Sequence, residues 1–163
     1  MELNCAATLA PFIPPQVELP QPVTAFARPI QVLLIEDDTD AALLVDVYLT
    51  QDNGNPFRVE WVANLSEALN RLGEPGIDVV LLDLGLPELN GYRSYRAIEA
   101  STGGNLPIVI LTSDDRSLSK DLTLELGAAD YLLKSENSPT QLRQALRNAI
   151  LRFRPRRIQG PVV

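Results

Sequence analysis

The 163-residue chain contains no histidine. That removes Ser-His-Asp and Cys-His nucleophiles, histidine metal ligands and a phosphohistidine role in one step. Cysteine is nearly as scarce. Cys5 stands alone, so neither a disulfide framework nor a cysteine-rich zinc site is expected, and a reducing, cytoplasmic compartment fits. No apolar run approaches the about 20 residues that span a bilayer. The N-terminus has no basic segment, and prolines interrupt its apolar residues, so neither a secretory signal nor a membrane partner is expected. The formal net charge of −7 argues against a broad nucleic-acid footprint. No glycine-rich loop follows the first apolar run, which argues against a phosphate-cradling nucleotide site.

What is present is an ordinary globular balance, 45% hydrophobic and 21% charged. It supports one domain with a core that needs no disulfide or structural metal. Residues 1–29 form a separate zone. Six prolines stud it (Pro11, Pro14, Pro15, Pro20, Pro22, Pro29), and its charged side chains are Glu2, Glu18 and Arg28. Proline fixes φ and removes a backbone donor, so this zone reads as an extended arm. Residues 154–163 read as a loose basic tail. Residues 30–153 are the folded domain, and too few residues follow it to expect an output domain.

Within that domain, short Ile/Val/Leu runs alternate with helical patterns. The first strand is Ile30–Ile35, and Thr39 and Asp40 are expected to cap the helix that follows, to about Gln51. Phe57–Val62 alternates, with Phe57, Val59 and Trp61 on its apolar side. Asn64 or Ser66 opens a second helix through Leu72. The run Asp78–Asp83 is a third strand, a continuous apolar stretch of the kind buried in parallel sheets, stopped by Gly85 and Pro87. A third helix spans about Leu89–Ala100. Ile108–Leu111 is the fourth strand, ending on Thr112 and Ser113. A fourth helix follows Asp114 and Asp115 and ends at Gly127. Tyr131–Leu133 is the fifth strand, ending on Lys134. The last helix starts near Ser138-Pro139 and reaches about Phe153. Five strands alternating with five helices define an α/β domain, a five-stranded parallel sheet doubly wound with helices on both faces.

In such sheets ligands bind outside the carboxyl ends of the strands. Four strand ends deliver Glu36 and Asp37, Asp83, Thr112 and Lys134 to one rim. Three hard oxygen donors suit Mg²⁺. A carboxylate can accept a phosphoryl group, a lysine ammonium and a threonine hydroxyl can hold its oxygens, and phosphoryl transfer needs positioning and charge rather than histidine. Taken singly, an aspartate at a strand end is more often a cap, and a lysine there more often a solvated side chain. Their joint occurrence points to a site. The arginines Arg143, Arg147, Arg152, Arg154, Arg156 and Arg157 read as a solvated helix face and tail whose cations favour a helix C-terminus rather than as a docking face.

Residues 29–153 resemble a response-regulator receiver domain of two-component signalling. The likeness is carried by Val32-Leu33-Leu34-Ile35-Glu36-Asp37-Asp38, Asp83-Leu84-Gly85-Leu86-Pro87-Glu88-Leu89-Asn90-Gly91, Ile110-Leu111-Thr112-Ser113 and Gly127-Ala128-Ala129-Asp130-Tyr131-Leu132-Leu133-Lys134. The resemblance implies a flavodoxin-like sheet in strand order 2-1-3-4-5. It implies Asp83 as phosphoacceptor, with Mg²⁺ held by Asp37, the Gly85 carbonyl, Asp83 itself and, through water, Glu36. Lys134 would pair with the phosphoryl group, Thr112 would move toward it, and Tyr131 would swing inward. Asp38 has no implied ligand role and suits a helix cap. The implied partner is a histidine kinase or phosphotransfer protein, with no nucleic acid, no membrane and a homodimer allowed. Output would pass through the face of the fourth helix, fifth strand and fifth helix. Such a protein catalyses only its own phosphorylation and dephosphorylation. The competing readings are a phosphorylation-independent scaffold, and an aspartyl-phosphate hydrolase, which wants an aspartate where Gly85 stands.

Two departures from the family pattern matter. The family lysine usually precedes a proline, often in cis, whereas Ser135 follows Lys134. A cis bond before a non-proline costs about 2.5–4 kcal/mol, so a trans bond or a strained loop is expected. Gly85 and Asp114, each two residues beyond a site residue, offer no shielding side chain and an extra negative charge. Together they imply a short-lived phosphoform.

Overall fold

Two consecutive pairings join the three most apolar strands at the centre of the sheet. The computed structural model describes residues 28–51, 57–89, 91–113 and 127–153. The strands are β1 (Ile30–Ile35), β2 (Phe57–Val62), β3 (Val79–Asp83), β4 (Ile108–Thr112) and β5 (Asp130–Leu133). All pair in parallel, in the order β2-β1-β3-β4-β5. The helices are α1 (Thr39–Thr50), α2 (Leu65–Leu72), α3 (Gly91–Ser101) and α4 (Pro139–Arg152). The fourth expected helix falls at 114–126, outside the described residues, as do residues 1–27 of the expected arm and the expected tail.

Side chains alternate across the pleat, and the core divides accordingly. Leu33, Ile35, Val80, Leu82, Ile108 and Ile110 face one side, with Ala68 of α2 and Tyr95 and Ile98 of α3. Val32, Leu34, Val79, Leu81, Val109 and Leu111 face the other, with Val45 and Leu49 of α1 and Leu142 and Leu146 of α4. Every residue of β3 and β4 is buried. Each fully buried aliphatic side chain contributes about 1.5–3 kcal/mol. The strand that ends on Asp83 is therefore firmly held on both faces.

Local chemistry sets the helix starts. Asp38, not Thr39 or Asp40, caps α1. Its Oδ1 accepts from the N–H of Asp40 at 2.8 Å and of Ala41 at 3.2 Å, because the cap must precede the first helical residue with extended backbone. Asn64 rather than Ser66 caps α2, accepting from Glu67 N–H at 2.9 Å. Ser138 and Gln141 form a reciprocal capping box at α4, with Pro139 in its first turn. The third helix begins at Gly91, two residues later than the sequence pattern suggests. A side chain at Gly91 would bring a Cβ within 2.8 Å of Leu84 Cβ, so the helix can only start against the Asp83 loop with glycine there.

Of the basic residues on α4, Arg147 and Arg152 are exposed, as a solvated face requires, while Arg143 is half-buried. Arg143 donates to the Tyr48 carbonyl at 3.0 Å, and Arg147 lies over the Phe57 ring at 5.6 Å. These two contacts join α4 to α1 and β2.

Arg28, expected in the extended arm, is fastened to the sheet. Its guanidinium donates to both carboxylate oxygens of Asp78 at 2.7 Å, and Asp78 Oδ2 also accepts from Gln31 N–H at 2.8 Å. Burial pushes the Asp78 carboxyl upward, but the Arg28 and Gln31 bonds outweigh it and the net shift is downward. A depressed acid stabilises the fold above its unfolded value and loses that contribution as pH falls through the folded one. Asp78→Ala should cost about 1–2 kcal/mol at neutral pH. The gap to the native protein should close as pH drops below about 4, as urea unfolding at several pH values will show.

Candidate functional site

The carboxyl ends of β1, β3, β4 and β5 meet at one rim. Glu36 follows the last residue of β1 and is fully buried, Asp83 ends β3 at 5% exposure, and Thr112 ends β4 at 4%. Lys134 follows the last residue of β5, half-buried. The Thr112 carbonyl accepts from Lys134 N–H at 2.8 Å, so the β4–β5 ladder itself sets where the lysine stem departs.

The Lys134 ammonium lies between two carboxylates, 2.5 Å from Glu36 Oε2 and 3.0 Å from Asp83 Oδ2. The Asp83 contact is a well-aligned hydrogen bond. The Glu36 contact is a close ion pair in which Oε2 receives no aligned hydrogen bond. Burial is the largest influence on each group and opposes its charge. For Glu36 it prevails with help from the Asp83 charge, and the carboxyl is held above its ordinary value. For Lys134 burial pulls down, yet Glu36 and Asp83 together outweigh it and the ammonium is held above its ordinary value. Lys134 is thus a fixed cation at neutral pH.

Asp83 Oδ1 accepts from Gly85 N–H at 3.0 Å. The carboxylate is therefore held at both oxygens, by a backbone donor and by the ammonium. A Cβ on Gly85 would stand 3.2 Å from Asp83 Oδ2. The lack of a side chain at position 85 leaves that oxygen uncovered on the Gly85 side, with Lys134 as its partner.

Asp37 is exposed, and one carboxylate oxygen from each of Glu36, Asp37 and Asp83 lies within 4.8 Å of the others. Three hard donors at that spacing, with a single ammonium beside them, fit a small divalent cation in donor type and charge. The Lys134–Ser135 bond is trans, as are all peptide bonds of the described residues. Lysine placement therefore does not depend on a cis bond.

The structure brings Glu36, Asp37, Asp83, Thr112 and Lys134 together as their strand-end positions imply, with Gly85 beside Asp83. Tyr131 is half-buried on β5 and packs against the core face that contains Leu82 and Ile110, so it lies behind the rim. Asp114 lies outside the described residues. One contributor escaped the sequence reading. Trp61, assigned to the apolar side of β2, is 42% exposed, and its indole N–H donates to the Glu36 carbonyl at 2.8 Å. Its own window carries no signal for this, since the bond spans 25 residues.

Residues 32–147 match the model of the response regulator receiver domain, and the chain belongs to that family. Among curated relatives it is similar to the swarming motility regulation protein RssB of Serratia marcescens, 37% identical over 105 residues, covering 64% of this chain and 46% of the relative. It is also similar to the DNA-binding response regulator MtrA of Mycolicibacterium smegmatis, 36% identical over 104 residues, covering 64% and 43%. The chain therefore spans less than half the length of these relatives. Among solved structures, a putative response regulator from Chloroflexus aurantiacus is 28% identical with a TM-score of 0.66, covering 77% of this chain and all of that one (100%). The chemotaxis response regulator CheY4 of Vibrio cholerae, 24% identical with a TM-score of 0.63 over 74% of this chain and 98% of its own, shares the fold. No described helix is long and apolar enough to cross a membrane.

The crowded acids yield a direct expectation. Two unit charges 4.8 Å apart repel by about 1 kcal/mol even in a water-like dielectric. Asp37→Asn should therefore raise the melting temperature of the metal-free protein at low salt. Added Mg²⁺ should stabilise the native protein and leave the variant nearly unchanged, as calorimetric melting with and without Mg²⁺ will show.

Proposed function

We propose that this chain is a phosphoacceptor switch of a two-component phosphorelay, taking a phosphoryl group on Asp83 from a histidine kinase or phosphotransfer protein. The observation that carries the reading is the Lys134 ammonium bridging Glu36 and Asp83 beside the exposed Asp37 carboxylate. A scaffold that no longer accepted phosphate would have no need to keep a buried cation and three converging acids, because such clusters cost stability.

Gly85 N–H stays on Asp83 Oδ1, and Oδ2, whose partner is the mobile Lys134 side chain rather than the backbone, is taken as the nucleophile. It attacks the donor's phosphorus, the bond to the donor's leaving atom breaks, and an acyl phosphate forms. Lys134 transfers its contact from Oδ2 to a phosphoryl oxygen and retains Glu36. Mg²⁺, held by Asp37, Asp83 and the Gly85 carbonyl with Glu36 reaching it through water, would supply the positive charge that offsets the incoming phosphoryl group. Phosphorylation adds charge and acceptor oxygens at the rim. The Thr112 hydroxyl turns toward them, Tyr131 moves inward, and the face that includes β5 and α4 changes its preference for a partner. The DNA binding in the printed name of MtrA belongs to that protein, and the partner of this chain is left to experiment.

Incubation with a small acyl phosphate and Mg²⁺ should incorporate an acid-stable, base-labile phosphate that Asp83→Asn abolishes. No incorporation into the native protein would point to the scaffold. Continued turnover of simple phosphoesters would point to a hydrolase. Because Gly85 leaves Oδ2 uncovered, the purified phosphoform should be short-lived, and a half-life of many hours in Mg²⁺ would contradict that expectation.

A further inference from the structure

A half-exposed tryptophan on an edge strand ordinarily covers apolar surface. Trp61 does something more specific. In the register of the sheet, Ile35 pairs with Val62 and Leu34 with Trp61, so Glu36 lies one residue beyond the last paired position of β1. There β2 turns away, through Ala63 and the Asn64 cap of α2. The Glu36 N–H still reaches the Val62 carbonyl at 3.2 Å. Its carbonyl has outrun the ladder, and a backbone acceptor next to a buried side chain needs a donor. The Trp61 indole supplies one at 2.8 Å. Adjacent residues of β2 thus grip both polar groups of the Glu36 backbone.

The gripped carbonyl belongs to the peptide that joins Glu36 to Asp37. Its plane sets the direction in which the Asp37 side chain leaves the chain. On the Glu36 side, Oε1 accepts from Asp38 N–H at 3.3 Å and Oε2 faces Lys134. On the far side, Asp38 is engaged with α1. No hydrogen bond from the described residues fixes the Asp37 carboxylate itself. Its aim is inherited from the backbone, and among the described residues the indole is the one side-chain hydrogen bond that restrains this peptide.

We infer that Trp61 is a positioning residue of the acid pocket: its indole N–H fixes the Glu36–Asp37 peptide so that Asp37 points at the cation site shared with Asp83. This rests on the reading of Glu36, Asp37 and Asp83 as a magnesium-assisted phosphoacceptor site, and it adds a group from the edge strand to that site. Trp61 is also the chain's single tryptophan. Its emission therefore reports directly on the loop that carries the ligands.

The test is calorimetric titration of the full chain with Mg²⁺, comparing native protein, Trp61→Phe and Val59→Ala. Trp61→Phe keeps an aromatic ring and removes the N–H. Val59 packs against the core from the same strand without touching the acid loop, so Val59→Ala lowers stability by another route. Loss of one hydrogen bond of ordinary strength should weaken Mg²⁺ binding by Trp61→Phe about fivefold, while Val59→Ala binds as the native protein does despite a lower melting temperature. In the native protein, Trp61 emission should change with the same half-saturation as the calorimetric signal. Unchanged affinity in Trp61→Phe would overturn the inference, as would equal weakening in both variants or an emission blind to saturating Mg²⁺. If the native protein takes up no Mg²⁺ at all, the underlying site reading falls, and this inference with it.

Discussion

Everything at the rim depends on the Lys134 ammonium seated between Glu36 and Asp83. Glu36 is fully buried, and an ionised carboxylate without a partner in that position is very costly. A buried ion pair seldom stabilises a fold relative to apolar residues, yet removing one partner leaves the other charge stranded. Lys134 is therefore both a structural necessity for the metal-free pocket and a cation already in place for a phosphoryl group. One ammonium sits beside three converging carboxylates, and the excess negative charge that remains suits a divalent ion in donor type and charge.

The scaffold serves this arrangement by rigidity on one side and openness on the other. β3, buried throughout, holds Asp83 without latitude. Gly91 lets α3 begin against Leu84, and Gly85 leaves the outward oxygen of Asp83 uncovered. The same openness that admits a donor admits water. In the proposed reading, a firmly mounted nucleophile and a weakly shielded product are two consequences of one loop. The trans bond at Lys134–Ser135 fits the same picture, since the lysine reaches both acids from the end of the β4–β5 ladder without a strained peptide.

The chain belongs to the receiver family over residues 32–147, and the residues at the rim are those the proposed phosphoryl chemistry would use. The curated relatives are more than twice as long as the matched region. What they do with their remaining length says nothing about this chain's output. Thr112 and Tyr131 lie on neighbouring strands, and α4 packs against β4, β3 and β5.

The strand-end chemistry was legible in the sequence because it is local. Ile/Val/Leu runs ending in Glu36, Asp83, Thr112 and Lys134 declare both the parallel sheet and the rim, since a parallel strand's carboxyl end always faces the crevice. The order β2-β1-β3-β4-β5 followed from resemblance and is now seen in the pairing. Only the tertiary structure decided the contacts between distant windows. It showed that Arg28 closes on Asp78, that Arg143 donates to the Tyr48 carbonyl, and that Trp61 turns outward to hold the Glu36 carbonyl. Each depends on where two segments many residues apart come to rest against one another. Periodicity fixes which face a side chain takes, but a hydrogen bond across the sheet exists only once register and twist have brought its two ends within 3 Å.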